Sequence, residues 1–465
     1  MTRFEQLNTY FQTNRNRHLD ELRQFLAIES ISALSEHQSD MTKAAEWLVE
    51  SMKAVGLENV SIDPTDGYPV VYGDWMHAEG RPTILVYGHY DVQPVDPVEL
   101  WETPPFEATI RDNKLYARGA SDDKGQVFMH LKAVEAMMEQ FGELPVNVKF
   151  MLEGEEEIGS PSLEAYIESN KEKLTSDIIL ISDTGMAGPG KPAICYGLRG
   201  LAGIQIDVRG PKGDLHSGIY GGGVQNPLHA LAHILASFRD KEGTIQIDGF
   251  YDDVRPLTDE ERQALAGLPF DEAALKDELG VDTLFGEAGY TYMERVSARP
   301  TLEVNGMTGG FTGEGIKTVL PAEASAKVTC RLVPDQDPEV IIERLKAHIE
   351  RETLPGVDVR ITEFDKGQPF ITPFDHPAIQ AASDSYERVY DVPTAYTRGG
   401  GSIPIVAAFD QILQVPVVLM GFGLDSENFH APNEHFHLEN FDAGLRVITT
   451  YYDELAPLSK EQLKK

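Results

Sequence analysis

Histidines and carboxylates recur in this sequence where apolar, strand-like runs end. The run "TILVYGHYDV" (83–92) closes with His89 and Asp91. Because side chains on a strand alternate with a period of two, these two residues point to the same side. Comparable positions later in the chain are Asp122 and Asp123 in "RGASDDKG", Glu153 and Glu155 to Glu157 in "EGEEEIGS", Asp183 in "ISD", and His430, His435 and His437 in "ENFHAPNEHFH". Nitrogen and oxygen donors without a thiolate are typical of a site for one or two borderline divalent cations.

Each motif also has a purely structural interpretation. The pair "DD" before "KGQVFMHL" is typical of a helix N-cap, "EGEEEIGS" of a solvated acidic turn, and the later histidines of surface or packed residues. Acidic side chains that meet at one sheet edge repel each other, which raises their pKa values and lowers stability unless a cation neutralises them. The convergence of the motifs therefore favours a metal site.

The elements that must position these residues alternate between helix and strand. Helices are predicted at about 17–28, 42–55, 124–141 and 162–174, and strands at 83–88, 146–152 and 177–183. This alternation predicts a mostly parallel sheet covered by helices, and ligands of such α/β sheets bind beyond the carboxyl ends of the strands.

A second kind of unit begins near residue 199. Its predicted strands (201–209, 323–333, 357–364) and helices (226–238, 338–352) indicate a ferredoxin-like α+β unit, an open sheet with two helices on one side. The acidic segment 250–300 is expected to be irregular and has no assigned role. After residue 377 the first pattern returns, with a strand at 415–423 and a helix at 440–455. We therefore expect a catalytic domain (1–198 and 377–465) interrupted by an inserted domain (199–376), in line with the length of 465 residues.

Composition limits the classes of partner and compartment. The chain has 75 acidic and 40 basic residues, a formal charge of −35, which argues against nucleic acid and anionic membranes as partners. Cys195 and Cys330 are far apart, which argues against a disulfide framework and fits a reducing compartment. The N-terminal segment lacks an apolar signal region, and no run reaches transmembrane length. We expect a cytoplasmic protein.

The motifs together resemble one known family. "GHYDVQP", "RGASDDKG", "EGEEEIGSP", "ISD", "DLHSGIYGG", "RLVPDQDPE", "RGGGSIP" and "FHAPNE" are similar to motifs of the M20 co-catalytic metallopeptidases, nearest to the carnosinase-like (cytosolic non-specific dipeptidase-like) branch, and they occur in the family's order. No single motif is specific, but the combination is. The resemblance implies two divalent cations per subunit, Zn²⁺ or Mn²⁺, and hydrolysis of the peptide bond of dipeptides or short peptides.

The resemblance also implies roles for individual residues. The implied metal ligands are His89 and Asp183 for one ion, Glu157 and His430 for the other, and Asp122 as the bridge. Asp91 would orient His89. Glu156 would be the general base that takes a proton from the metal-bridging water, because in the family the base and the ligand are the last two acids before "GS". The peptide bond after the bridging aspartate, Asp122–Asp123, would be cis.

Substrate recognition is implied for the inserted domain and the loop after it. His216 in "DLHSG" and Thr318 in "IKTVLP" would reach into the partner's site of a homodimer formed through that domain, where the imidazole would stabilise the oxyanion. Arg331 would pair with the C-terminal carboxylate of the substrate, together with Ser402 and Gly401 of "GGGSIP". From the residues alone, a loop histidine, a strand threonine, a surface arginine and a glycine turn are the favoured interpretations.

Two other functions are compatible with the motifs. An N-acyl-amino-acid deacylase, of the aminoacylase or succinyl-diaminopimelate desuccinylase type, would use the same metal chemistry, and the set of His216, Thr318 and Arg331 favours a dipeptidase over it. An inactive metal-stabilised binding protein is disfavoured because Glu156 and all five implied ligands are present.

The additional acid at Glu155, and Glu427 and Asn428 before His430, depart from the family pattern and bear on pH optimum or metal preference. The sequence leaves side-chain specificity and the native metal open.

Overall fold

The structure, a computed structural model, describes residues 1–400 and 404–464. Gly401 and Ser402 lie outside the described residues. The chain divides into two compact units. The first unit comprises Met1–Tyr196, Thr372–Thr397 and Ala408–Lys465, and the second comprises Gly197–Ile371 and Arg398–Ala407.

Helices and strands alternate through most of the chain. The helices are α1 (Arg3–Leu26), α2 (Gln38–Ala54), α3 (Lys124–Phe141), α4 (Leu163–Ser169), α5 (Lys171–Leu174), α6 (Ser217–Tyr220), α7 (Pro227–Ser237), α8 (Asp259–Ala266), α9 (Glu272–Leu279), α10 (Tyr292–Ser297), α11 (Pro338–Glu352), α12 (Pro377–Tyr390), α13 (Pro404–Ile412) and α14 (Leu438–Leu455). The strands are β1 (Glu58–Asp63), β2 (Val70–Trp75), β3 (Thr83–His89), β4 (Thr109–Arg111), β5 (Lys114–Tyr116), β6 (Asn147–Glu153), β7 (Ile178–Ile181), β8 (Ala193–Leu198), β9 (Gly200–Arg209), β10 (Leu215–His216), β11 (Thr301–Gly309), β12 (Val319–Leu320), β13 (Glu323–Leu332), β14 (Asp358–Gly367), β15 (Phe370–Ile371), β16 (Ala395–Gly399), β17 (Val417–Leu419) and β18 (His435–His437). Among the described residues, no helix has both the length and the apolar character needed to cross a bilayer.

The first unit contains a central sheet with the strand order β1–β2–β6–β3–β7–β17–β8. The four central strands β6, β3, β7 and β17 are parallel, whereas β1, β2 and β8 are antiparallel to their neighbours. Every residue of β3, β6 and β7 is buried, as expected for parallel strands covered on both faces. The predicted α/β class with a mostly parallel sheet is confirmed.

Two glycines allow α3 to approach the carboxyl end of β3. A side chain at Gly88 would meet Val127 at 2.4 Å and the carboxylate of Asp123 at 2.7 Å. A side chain at Gly125 would meet the carbonyl oxygen of Ala120 at 1.9 Å. The motifs "GHYD" and "DDKG" therefore pack against each other, and the start of α3 lies directly beside His89.

The second unit has a four-stranded antiparallel sheet with the order β11–β13–β9–β14. Helices α7 and α11 pack on one face of it, over a separate apolar core. This is the ferredoxin-like arrangement that was predicted. The acidic segment 250–300 is not irregular, however, because it contains α8, α9 and α10, two of which begin with capping boxes at Thr258 and Thr291.

Candidate metal centre

Two groups of potential metal ligands meet at the carboxyl end of the first unit's sheet. His89, Asp122 and Asp183 form one triad, and Asp122, Glu157 and His430 form the other. Within each triad the donor atoms lie within 4.8 Å of one another. His89 Nε2 is 3.2 Å from Asp122 Oδ1, and His430 Nε2 is 3.0 Å from Asp122 Oδ2. Asp122 thus turns one oxygen towards each triad, and the peptide bond that follows it is cis.

The orientation of the His89 ring follows from its hydrogen bond to the backbone. Nδ1 lies 3.1 Å from the carbonyl oxygen of Asp91. Since a carbonyl only accepts, Nδ1 carries a hydrogen and donates it, so Nε2 is the ring nitrogen that faces Asp122 and Asp183. A fixed tautomer with one free ring nitrogen is the state in which histidine binds a metal.

The carboxylate of Asp91 connects several parts of the site. Oδ1 accepts the backbone N–H of Glu156 at 3.3 Å, and Oδ2 accepts that of Glu157 at 3.1 Å. The hydroxyl of Ser32 donates to Oδ2 at 2.6 Å. Asp91 is completely buried. It therefore orients the turn of "EGEEEIGS" as well as the histidine beside it, and Ser32 is a contributor that sequence reasoning missed because it lies in a segment without any recognisable motif.

The three consecutive acids of "EGEEEIGS" have different surroundings. Both oxygens of Glu155 accept backbone N–H groups, from Tyr68 at 3.1 Å and from Ser162 at 3.2 Å. Glu157 lies 3.2 Å from His430 Nε2. Glu156 makes neither kind of contact, and its Oε2 is 4.0 Å from His89 Nε2, beside the first triad. The carboxylate of Glu156 faces the centre. Of the three acids, it is the one whose carboxylate is held neither by backbone N–H groups, as in Glu155, nor by a contact with His430, as in Glu157.

Burial and mutual repulsion shift the pKa values of these acids. Burial raises the pKa of Glu156 to about 7, and the neighbouring Glu157 carboxylate acts in the same direction while His89 opposes it. Burial raises the pKa of Asp183 well above its usual range, with Asp122 adding to the effect. Hydrogen bonds to Asp122 and Glu157 raise the pKa of His430 to about 10. The centre thus holds more acidic charge than its two imidazoles can neutralise, and its nitrogen and oxygen donors suit a pair of divalent cations.

Several acids and histidines of the sequence motifs lie outside both triads. His435 and His437 sit on β18, which pairs with β5. His437 Nδ1 contacts Glu427 at 2.6 Å, and His435 Nδ1 donates to the carbonyl of Asn433 at 2.9 Å. Glu153 accepts hydrogen bonds from Tyr87 and Ser160. These residues support the loops around the centre.

Beside the first triad, His130 gives the fold a pH dependence. Burial lowers the pKa of His130 from 6.5 to about 3, and its Nε2 lies 2.8 Å from the Ser182 hydroxyl, next to Asp183. The unfolded chain therefore binds a proton below pH 6.5 that the folded chain does not, so stability should fall as the pH drops from 6.5 towards 3, by up to about 1.4 kcal/mol per unit. Urea unfolding of the metal-free protein should show a shallower pH dependence for His130→Gln than for the wild type. An unchanged slope, equal to that of a His77→Gln control at an exposed site, would contradict this prediction.

The remaining predicted residues lie in the second unit. His216 pairs with Val319 across the short β10–β12 ladder, and the carbonyl of Thr318 accepts the N–H of Ser217 at 3.0 Å. Arg331 lies on β13 opposite Thr301 and lines a cavity of about 430 Å³ together with Arg199. Burial lowers the pKa of Arg199 to about 10, and the charge of Arg331 adds to this effect. The strand pairing places His216 and Thr318 together, and Arg331 lies in a cationic cavity of the same unit.

Comparison with known proteins places the chain in a family. Residues 85–454 match the model of Peptidase family M20/M25/M40. The chain is 32% identical over 472 residues to the Cys-Gly metallodipeptidase dug1 of Schizosaccharomyces pombe, covering 98% of this chain and 99% of that protein. It is 30% identical to the Beta-Ala-His dipeptidase of Homo sapiens, covering 98% of this chain and 93% of the relative. The solved structure of the M20 family metallo-carboxypeptidase Sso-CP2 from Sulfolobus solfataricus superposes with a TM-score of 0.80 at 35% identity, over 95% of this chain and 99% of that one. The chain therefore belongs to peptidase family M20/M25/M40.

Proposed function

We propose that this protein hydrolyses the peptide bond of dipeptides with the help of two divalent cations. The observation that carries the proposal is the pair of triads that share Asp122, with Glu156 beside them. The activities of relatives that are similar over nearly the whole chain support it, since one is a Cys-Gly metallodipeptidase and another is a Beta-Ala-His dipeptidase.

The two triads define the proposed ligand sets. His89, Asp122 and Asp183 would hold one cation, and Asp122, Glu157 and His430 the other. When bound, the pair of cations supplies Lewis-acid chemistry, which lowers the pKa of water and polarises a carbonyl oxygen. A donor set of imidazoles and carboxylates fits Zn²⁺ and Mn²⁺, and we propose one of these as the native metal.

Glu156 is the proposed general base. Its carboxylate would take a proton from the attacking water and deliver it to the nitrogen of the leaving amine, so that one group serves both steps. A base works best when its pKa is close to the working pH, and burial places the pKa of Glu156 at about 7 in the metal-free protein. Asp91 holds the backbone of Glu156 and the ring of His89, so base and ligand keep a fixed separation.

For the substrate, we propose that Arg331 pairs with the terminal carboxylate, because a guanidinium fork matches a carboxylate in a bidentate way. His216 is proposed to stabilise the oxyanion, with Thr318 next to it. Gly401 and Ser402 are proposed to complete the carboxylate site and lie outside the described residues. Recognition of a free carboxylate limits the substrates to the C-terminal ends of short peptides.

Turnover of a small substrate panel tests the proposal. Metal-free protein should be supplied with zinc, manganese or no metal, and offered free dipeptides, a tripeptide and N-acetyl and N-succinyl amino acids. Metal-dependent cleavage of the free dipeptides is expected. A preference for acylated amino acids would indicate a deacylase, and a preference for the tripeptide would indicate a carboxypeptidase. Unfolding on chelation, without any activity to lose, would indicate a metal-stabilised binding protein.

We further propose that residues 199–376 act as a lid and dimerisation domain. Apolar side chains are exposed close in the chain to both strands of the β10–β12 ladder: Ile219, in α6, is 71% exposed, and Ile316, in the loop before β12, is 94% exposed. Met307, near the end of the edge strand β11, and Phe311, in the loop after that strand, are also exposed. A patch of this kind, close in the chain to His216 and Thr318 and to the edge strand β11 of the described sheet, is typical of a protein interface.

The dimer can be tested by disrupting this patch. The double variant Ile219→Asp/Ile316→Asp should sediment as a monomer, whereas the wild type and a Met76→Asp control at an exposed site of the first unit should sediment as dimers. Analytical ultracentrifugation at several protein concentrations measures the change. A wild type that is monomeric throughout, or a dimeric double variant, would contradict the proposed interface.

A cytoplasmic location is proposed from the low cysteine content and the separation of Cys195 and Cys330, which fit a reducing compartment. Cell fractionation tests it directly.

A further inference from the structure

The carboxylate of Glu434 holds the loop that carries Asp122. Its Oε1 accepts the backbone N–H groups of Ser121 and Asp122, each at 3.1 Å. Its Oε2 accepts the N–H of Gly119 at 3.0 Å and Nη1 of Arg118 at 2.7 Å. The side chains of Glu434 and Arg118 are each only 1% exposed. Both oxygens are therefore fully occupied, away from water.

Glu434 also belongs to the loop that carries His430. The carbonyl of Glu434 accepts the N–H of Ala117 at 3.1 Å, and the neighbouring Asn433 bonds the backbone of Leu100 and Glu102 through its side chain. The two loops are thus connected twice: through the contact of His430 with Asp122 at 3.0 Å, and through Glu434 to the backbone of Asp122. The second connection involves no donor atom of either triad.

We propose that Glu434 is a positioning residue that fixes the separation of Asp122 and His430 for the second cation. This inference rests on the proposed function, because it concerns the same centre. A neutral glutamine of the same length could not replace Glu434, since its amide offers one accepting oxygen and an NH₂ group that only donates. Two of the four donors would then lose their acceptor inside the protein, and the Asp122 loop would lose its fixed position.

Zinc titrations on metal-free protein, with a chromophoric chelator as competitor, test the inference. In Glu434→Gln the affinity for one of the two ions should fall by about 10–100-fold, the usual effect of removing a group that orients a ligand. Glu434→Asp keeps the charge opposite Arg118 and should fold, but its carboxylate is too short to reach all four donors, so an intermediate loss is expected. Circular dichroism and thermal unfolding check the fold of each variant.

Glu294→Gln is the matched control. Glu294 is also buried and accepts one backbone N–H, from Thr291 at 2.7 Å, and one arginine, Arg262, at 2.8 Å, but it lies in the second unit. The control should lose stability and keep both zinc affinities. If it loses zinc affinity as Glu434→Gln does, or if both Glu434 variants bind two ions as the wild type does, the inference is overturned. A wild type that does not bind two zinc ions would instead overturn the proposed function.

Discussion

Replacing Glu156 by glutamine is expected to lower kcat by about 10²–10⁴-fold, the usual contribution of a general base. The amide has nearly the same shape but cannot take a proton, so substrate binding should change little and the effect should appear in kcat and not in KM. The affinity for both cations should persist, because the ligand atoms of the two triads belong to other residues. Steady-state kinetics on a free dipeptide, with zinc titrations of the same samples, measure both quantities.

Glu155→Gln is the matched control for that experiment. Its carboxylate accepts the N–H groups of Tyr68 and Ser162, so the amide should cost stability through one lost acceptor and leave kcat within a few-fold of the wild type. If instead Glu155→Gln lost most of its rate and Glu156→Gln kept it, the base would be Glu155. Full activity in both variants would leave Glu157 as the remaining acid of the turn that could act as the base.

Asp122→Asn should have the second large effect, because Asp122 belongs to both triads. Asparagine can present only one oxygen, and it carries no charge to offset a cation. We expect the variant to hold fewer than two zinc ions per chain under conditions that saturate the wild type. Loss of several kcal/mol of Lewis-acid stabilisation corresponds to a rate decrease on the order of a thousandfold. Metal content by mass spectrometry under native conditions and dipeptide turnover measure the two effects.

Asp74→Asn provides the comparison for Asp122→Asn. Asp74 is a buried aspartate of the same unit that accepts hydrogen bonds from Tyr72 and Asn59. It should lose stability without losing metal or rate. Two bound zinc ions in Asp122→Asn, at wild-type affinity, would show that Asp122 does not bridge the two sites.

Much of the metal centre could be predicted from the sequence because its residues lie in short motifs at strand ends. His89 is the last residue of β3, and Asp122 lies shortly before α3, so local patterns predict that histidines and carboxylates converge there. The assignment of individual ligands came from the family resemblance. Ser32 and Tyr68 could not be found in this way, since their contacts with Asp91 and Glu155 join segments that are distant in the chain. Glu434 ends the motif "FHAPNE", but nothing in its immediate neighbours indicates that it accepts four hydrogen bonds from another loop.

Two edge strands that sequence reasoning missed, β1 and β11, share a physical cause. The edge strand β11 has Leu302 buried but Glu303, Val304 and Asn305 exposed, so its alternation of apolar and polar residues is weak. Strand β1, also at an edge, is similarly exposed.

The strand predicted at 415–423 is only Val417–Leu419, because the apolar residues after it continue as a buried loop that leads to His430. Burial by tertiary contacts, and not strand formation, accounts for that apolar run.

The strand order of the first unit has a consequence for folding during synthesis. Strand β17 lies between β7 and β8 in the sheet, although more than 200 residues separate it from them in the chain. The inserted sheet contains only strands that precede β17, so its residues leave the ribosome first and can fold as a unit while the larger sheet still lacks a central strand. During that interval β7 and β8 present open edges, and they require protection from pairing with other chains. His430 emerges later still, so the second triad is the last part of the centre to be assembled.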